Sequence, residues 1–173
     1  YAATPPLVRA STGLGPVDYF GRTLVANLPA NARVGVIVVA VSGCRIELFD
    51  KDKYQTQIVD KPDWMMGILK EYDNNPYQRL VEIARLAQKD GVIKGILIHQ
   101  GESNTGEKEW PAKVKKVYED LLSDLDLKAC QQLALFEDEG EGGEWLCKGI
   151  KDYDVRVWEG DLRSFVGFGK MAP

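Results

Sequence analysis

Val92-Ile-Lys-Gly-Ile-Leu-Ile98 runs without a break into His99-Gln-Gly-Glu-Ser-Asn104. Apart from Lys94 and Gly95 the first seven residues are apolar and mostly β-branched, the pattern of a strand buried on both faces, as strands of a parallel sheet are. The six that follow are all polar or glycine. A second stretch, Val34-Gly-Val-Ile-Val-Val-Ala-Val41, has the same strand character and ends on Ser42-Gly43-Cys44. Between the two lies a helix pattern. Asn75 stands as N-cap, Pro76 at the first helical position, Leu80, Val81, Ala84 and Ala87 at helical spacing, and Gly91 where a C-terminal cap belongs. Another apolar stripe follows, Trp110, Val114, Val117, Leu121 and Leu125, with Pro111 near its start.

Strand, helix, strand, helix predicts an α/β fold with a parallel sheet covered by helices. In such sheets ligands bind beyond the carboxyl ends of the strands. That rule points at Ser42-Gly43-Cys44 and His99 to Asn104. The connection Glu47 to Asp73 carries Phe49, Tyr54, Trp64 and Tyr72 and is long enough to wall a cleft.

The bulk numbers narrow the classes. A chain of 173 residues, 45% hydrophobic, suits a globular domain with a sizeable core. The net charge of −4 and the lack of a basic stripe argue against nucleic acid. No apolar run approaches the roughly 20 residues that span a bilayer. A neutral poly- or oligosaccharide partner fits better. Three cysteines, Cys44, Cys130 and Cys147, and one histidine offer no metal-ligand spacing, so neither metal nor other cofactor is expected. Free thiols are the main expectation, a Cys130–Cys147 disulfide the alternative.

Chemistry concentrates at the two strand ends. Gln100 offers an amide N–H2 to a developing oxyanion, and Gly43 a backbone N–H unobstructed by a β-carbon. Gly101 lets the chain turn sharply, and Glu102 can orient a partner or accept from a sugar hydroxyl. Ser42 becomes a nucleophile only with a base in reach, and His99 is the one histidine that could serve.

These residues carry a resemblance. Pro5 to Arg9, Gly13 to Arg22, Val34 to Asp52 and Gly91 to Trp110, above all His99-Gln-Gly-Glu-Ser-Asn-Thr-Gly106, resemble the carbohydrate esterases that include acetylxylan esterases, members of the SGNH hydrolase superfamily. The resemblance implies a three-layer α/β/α sandwich of SGNH, flavodoxin-like type. It also implies hydrolysis of acetyl esters on xylan or a related plant polysaccharide, and an exported protein. It gives the backbone oxyanion donor to Gly43, the side-chain amide to the segment His99 to Asn104, with Gln100 preferred and Asn104 beside it, and the acidic residue of that block to Glu102. The family's Gly-Gln-Ser-Asn nucleophile motif and its Asp-x-x-His motif do not occur in this chain. The resemblance therefore expects a partial esterase-like domain over residues 1–129, cut short at its N-terminus by a central strand and the helix after it. Repacking, use of the tail, or association with a second copy would cover the exposed faces. Residues 130–173 form a divergent acidic, glycine-rich tail in which Tyr153 to Trp158 has strand character.

Two other readings stand beside the esterase. In a non-catalytic glycan-binding remnant, Trp64, Tyr72 and Trp110 would contact sugar. In a glycoside hydrolase, two carboxyl groups from among Glu102, Glu107, Glu139 and Glu144 would flank a scissile bond.

Overall fold

The computed structural model describes residues 16–127, 132–137 and 155–159. These fall into two units, one holding residues 16–40 and the other holding the described residues from 41 onward. In the first unit, α1 spans Pro16–Asn27, and the amide of Asn27 donates to the carbonyl of Thr23 at 2.8 Å in its last turn.

The expected strand over Val34–Val41 is not formed. Residues 32–41 belong to no helix or strand, and most of their valines are half-buried. A strand exists only where a neighbour completes its ladder, since each N–H and C=O needs a partner. No described strand pairs with this run. Only its last residue, Val41, is buried, and it belongs to the second unit.

The second unit is built around the carboxyl-terminal half of the Val92–Ile98 run. β1 spans Gly95–His99, β2 Gln132–Glu137 and β3 Val155–Glu159, in the order β1-β2-β3 and parallel throughout. The register sets Gly95 against Gln132 and His99 against Phe136. The ladder begins where β2 begins, so Val92 to Lys94 precede it. Burial on both faces, expected from the apolar run, is not observed. β1 is an edge strand among the described residues, with Leu97 41% and Val92 72% exposed. β2 and β3 come from the stretch expected as a tail, and β3 falls within the strand-like Tyr153 to Trp158 segment.

Helices fill the rest. α2 spans Asp63–Lys70, α3 Pro76–Ala87 and α4 Trp110–Asp124. The start of α3 matches expectation: the Asn75 side chain accepts from the Gln78 N–H at 3.0 Å, and Pro76 occupies the first turn. Its end does not. The helix stops at Ala87 with Gln88 as cap, and Gly91 lies beyond, donating its N–H to Ala87 at 3.0 Å without a positive φ. α4 buries the expected stripe, Trp110, Val114, Val117, Leu121 and Leu125, and adds Tyr118 and Leu122. Burying each such side chain stabilises by about 1.5–3 kcal/mol.

α3 is pinned to the carboxyl end of α4, where carbonyls lack helical partners. Arg85 donates to the Asp124 carbonyl at 2.8 and 3.3 Å, and Gln88 to that of Leu125 at 2.8 Å. The Tyr77 hydroxyl donates to the Asp124 carboxylate at 2.6 Å, and burial with that anion raises the phenol pKa.

The long connection Glu47 to Asp73 is more ordered than a loop. It holds 3₁₀ turns at Ile46–Phe49 and Tyr54–Gln57 and then α2, whose Met65 and Leu69, one turn apart, pack with Val41 and Leu48. Among the described residues no helix is long and apolar enough to cross a membrane.

Candidate functional site

The two strand-end segments singled out from sequence meet in the second unit. Gly43 turns the chain at φ +64°, a conformation that favours glycine. Its carbonyl accepts from the Ser103 hydroxyl at 3.0 Å. The next carbonyl, of Cys44, accepts from the Gln100 amide at 3.1 Å. Arg45 reaches the Ser103 carbonyl at 3.1 Å and the Glu107 carboxylate at 2.8 Å. Gly101 turns the other segment at φ 152° and leads into a short 3₁₀ turn, Glu102–Asn104, closed by the Asn104 N–H on the Gly101 carbonyl at 2.8 Å.

Asn104 is the hub of this meeting and is 3% exposed. Its Oδ1 accepts from the Ile46 N–H at 2.9 Å and from Gln100 at 2.9 Å. Its Nδ2 donates to Glu107 at 2.6 Å and Glu47 at 3.2 Å. Every polar atom of a buried amide is thereby matched. Lys113, from the first turns of α4, closes the array by donating to both Glu47 and Glu107. Burial pushes the Glu47 carboxyl up, but hydrogen bonds from Lys113, its own backbone and Asn104 outweigh that and hold it at about 2. The Glu107 carboxyl is likewise held low, first by Lys113 and then by Asn104. Both are therefore anions at neutral pH.

The expected roles divide accordingly. Gln100 is buried, and its amide hydrogens go to Cys44 and Asn104 while its oxygen accepts from the Trp110 indole N–H. Its amide is spent on holding the two segments together and is not presented to a ligand. His99 lies beside Glu102, Nε2 to Oε1 3.4 Å, and both are exposed. Ser42 is exposed on the turn beside Gly43, yet no hydrogen bond joins it to His99. A serine hydroxyl without a bonded base is a weak nucleophile. Burial pushes the Cys44 thiol up to about 12, so it stays protonated and is no substitute. Glu107, tied to Lys113, Arg45 and Asn104, has no proton to give as a glycosidase acid. Glu139, Glu144, Cys130 and Cys147 lie outside the described residues.

Sequence reasoning missed Arg45, Glu47 and Lys113, and offered Glu107 only as a glycosidase carboxyl, not as a partner of Asn104, Arg45 and Lys113. Arg45 and Glu47 sit more than 55 residues from their partners. The density of charge just after the His99–Asn104 block was the available signal. A second acidic group, Asp50, Asp52 and Asp120, has ligand atoms within 4.8 Å of one another. The Lys116 ammonium sits among them, at 3.0, 2.9 and 2.7 Å, and supplies the countercharge a cation would bring.

The sequence that builds this site has a match among known families. A family model described as carbohydrate esterase, sialic acid-specific acetylesterase, covers residues 2–140. The chain belongs to this family. The match takes in both halves of the site and runs past residue 129 into β2. For a carbohydrate esterase the expected substrate is a carbohydrate ester and the expected chemistry its hydrolysis. An α/β fold agrees with the family and with the parallel sheet. No solved structure matches the chain.

Proposed function

We propose that this carbohydrate esterase acts on acetyl esters of a glycan such as acetylated xylan, with the acetyl carbonyl seated at the Gly43 turn. The observation that carries the reading is the clamp on that turn. Two successive carbonyls, of Gly43 and Cys44, are held by Ser103 and Gln100 of the facing segment. These bonds fix the two peptide planes that follow Gly43 and so restrict the turn that carries the Gly43 N–H, the kind of preorganisation that stabilising a developing oxyanion requires. Gly43 then donates its N–H to the oxyanion. Gln100 and Asn104 position the turn, Gly101 permits the approach of the second segment, and Glu102 orients His99. Ser42 is the hydroxyl nearest in sequence to this donor, and His99 is its candidate base. A three-layer sandwich remains the fold this reading implies for the whole domain.

Hydrolysis of an activated acetyl ester by the purified protein, beside Ser42→Ala and His99→Ala, tests the assignment. Loss of at least about 100-fold in both variants is the expected result if the pair closes on substrate binding. Equal rates in all three proteins would remove Ser42 and His99 from the chemistry. One observation favours a second reading, a glycan-binding protein without chemistry: Ser42 and His99 share no hydrogen bond. It predicts binding of acetylated xylan with no release of acetate.

A further inference from the structure

Three aromatic residues were candidates for touching sugar, and the structure separates them. Trp110 is 4% exposed and its indole N–H is taken by Gln100. Tyr72 packs against the cluster of Val41, Leu48, Met65 and Leu69. Trp64 is 54% exposed. It is the second residue of α2, and the next residue, Met65, anchors that helix in the core. A β-carbon placed on Gly43 would meet Trp64 Cη2 at 3.6 Å and Met65 Cε at 3.9 Å, so the indole lies in contact range of the turn itself. Among the described residues, the other large hydrophobic side chains exposed to this degree are aliphatic: Val25, Val59, Leu86 and Val92.

An indole combines a wide apolar face with low side-chain entropy, and leaving it in water forfeits a large burial gain. A pyranose ring presents a flat face of C–H groups that can cover such a surface. We propose that Trp64 is the stacking platform for the pyranose that bears the acetyl group, which places the ester over the neighbouring Gly43 turn. The ligand class is a neutral acetylated pyranoside. The proposal rests on the ester-binding reading of that turn and adds to it the sugar subsite.

Binding of a methyl acetyl-xylopyranoside, followed by calorimetry, tests it on the intact chain with Trp64→Ala and Trp64→Phe. Trp64 is solvent-exposed, and an unchanged circular dichroism spectrum confirms the fold of each variant. The alanine variant is expected to bind about tenfold more weakly and the phenylalanine variant to recover part of that loss, as a stacking face requires. Equal affinity of the alanine variant and the parent overturns the proposal, as does failure of the parent to bind the pyranoside. Acetate release, measured on the same samples, separates the two claims. Trp64-dependent binding without release keeps the platform and defeats the esterase reading. Release with no dependence of binding on Trp64 does the reverse.

Discussion

Val34–Val41 and Val92–Ile98 are nearly interchangeable as sequences, and the structure treats them differently. The second contributes β1, paired in register to β2. The first forms no strand. β-branching makes a residue fit a pleated, half-buried surface; the surface itself comes from a neighbour. The two runs also differ at their carboxyl ends. β1 passes directly into a segment whose Gln100 and Asn104 are buried and fully hydrogen-bonded. The turn after Val41 is held from outside, by Ser103 and Gln100. Pairing and polar anchoring, more than propensity, decide which run becomes the scaffold of the site.

The comparison is broken most severely at the anchor. Asn104→Ala removes both acceptor and donor from a buried site and leaves the Ile46 N–H and two carboxylates short of a partner. It is expected to cost about 3–4 kcal/mol in urea unfolding. Next comes the ladder itself. Proline at one of the adjacent positions Ile96 and Leu97 removes an N–H that faces β2 and is expected to cost about 3 kcal/mol, whereas Ile37→Pro and Val38→Pro are expected to cost under about 1 kcal/mol. Similar losses in the two runs would mean that Val34–Val41 is paired after all.

The ionic closure of the anchor comes third. Lys113→Met strands two carboxylates and is expected to cost about 2 kcal/mol at pH 7. Its pH signature follows from Glu47, whose carboxyl is held at about 2 against an ordinary 4.5. A depressed carboxyl contributes stability that is present above its unfolded value and lost as pH falls through its folded value. Acid should therefore lower the melting temperature between pH 4.5 and about 2, and Lys113→Met should flatten that fall. Smallest is Ser103→Ala, which loses one hydrogen bond to Gly43 and is expected to cost about 1 kcal/mol or less. Its clearer sign would be faster hydrogen exchange in the Gly43 turn.

What was legible in the sequence was local. Asn75 and Pro76 mark the start of α3 because a cap acts on its own next turn. The stripe from Trp110 to Leu125 marks α4 because helical period needs no partner to be visible. α2 escaped because eight residues with Gly67 inside give little period to see. β2 escaped because its apolar core, Leu133 to Phe136, opens on a glutamine and runs into an acidic segment. Val34–Val41 was over-read because strand formation is non-local. At the site, both Gly43 and His99–Asn104 were expected at strand ends; only His99–Asn104 follows a strand, and hydrogen bonds to Ser103 and Gln100 bring the Gly43 turn to it. That Gln100 would be spent on Cys44, Asn104 and Trp110 was not, because only the fold brings those acceptors and donors to it.

The most direct test is an NMR titration of the ¹⁵N-labelled protein with an acetylated xylo-oligosaccharide, since it does not depend on turnover. The account predicts that the Gly43 amide and those of His99 to Asn104 shift together, at one affinity. Shifts confined to another face, such as that of Asp50, Asp52 and Asp120, with Gly43 unmoved, would contradict it.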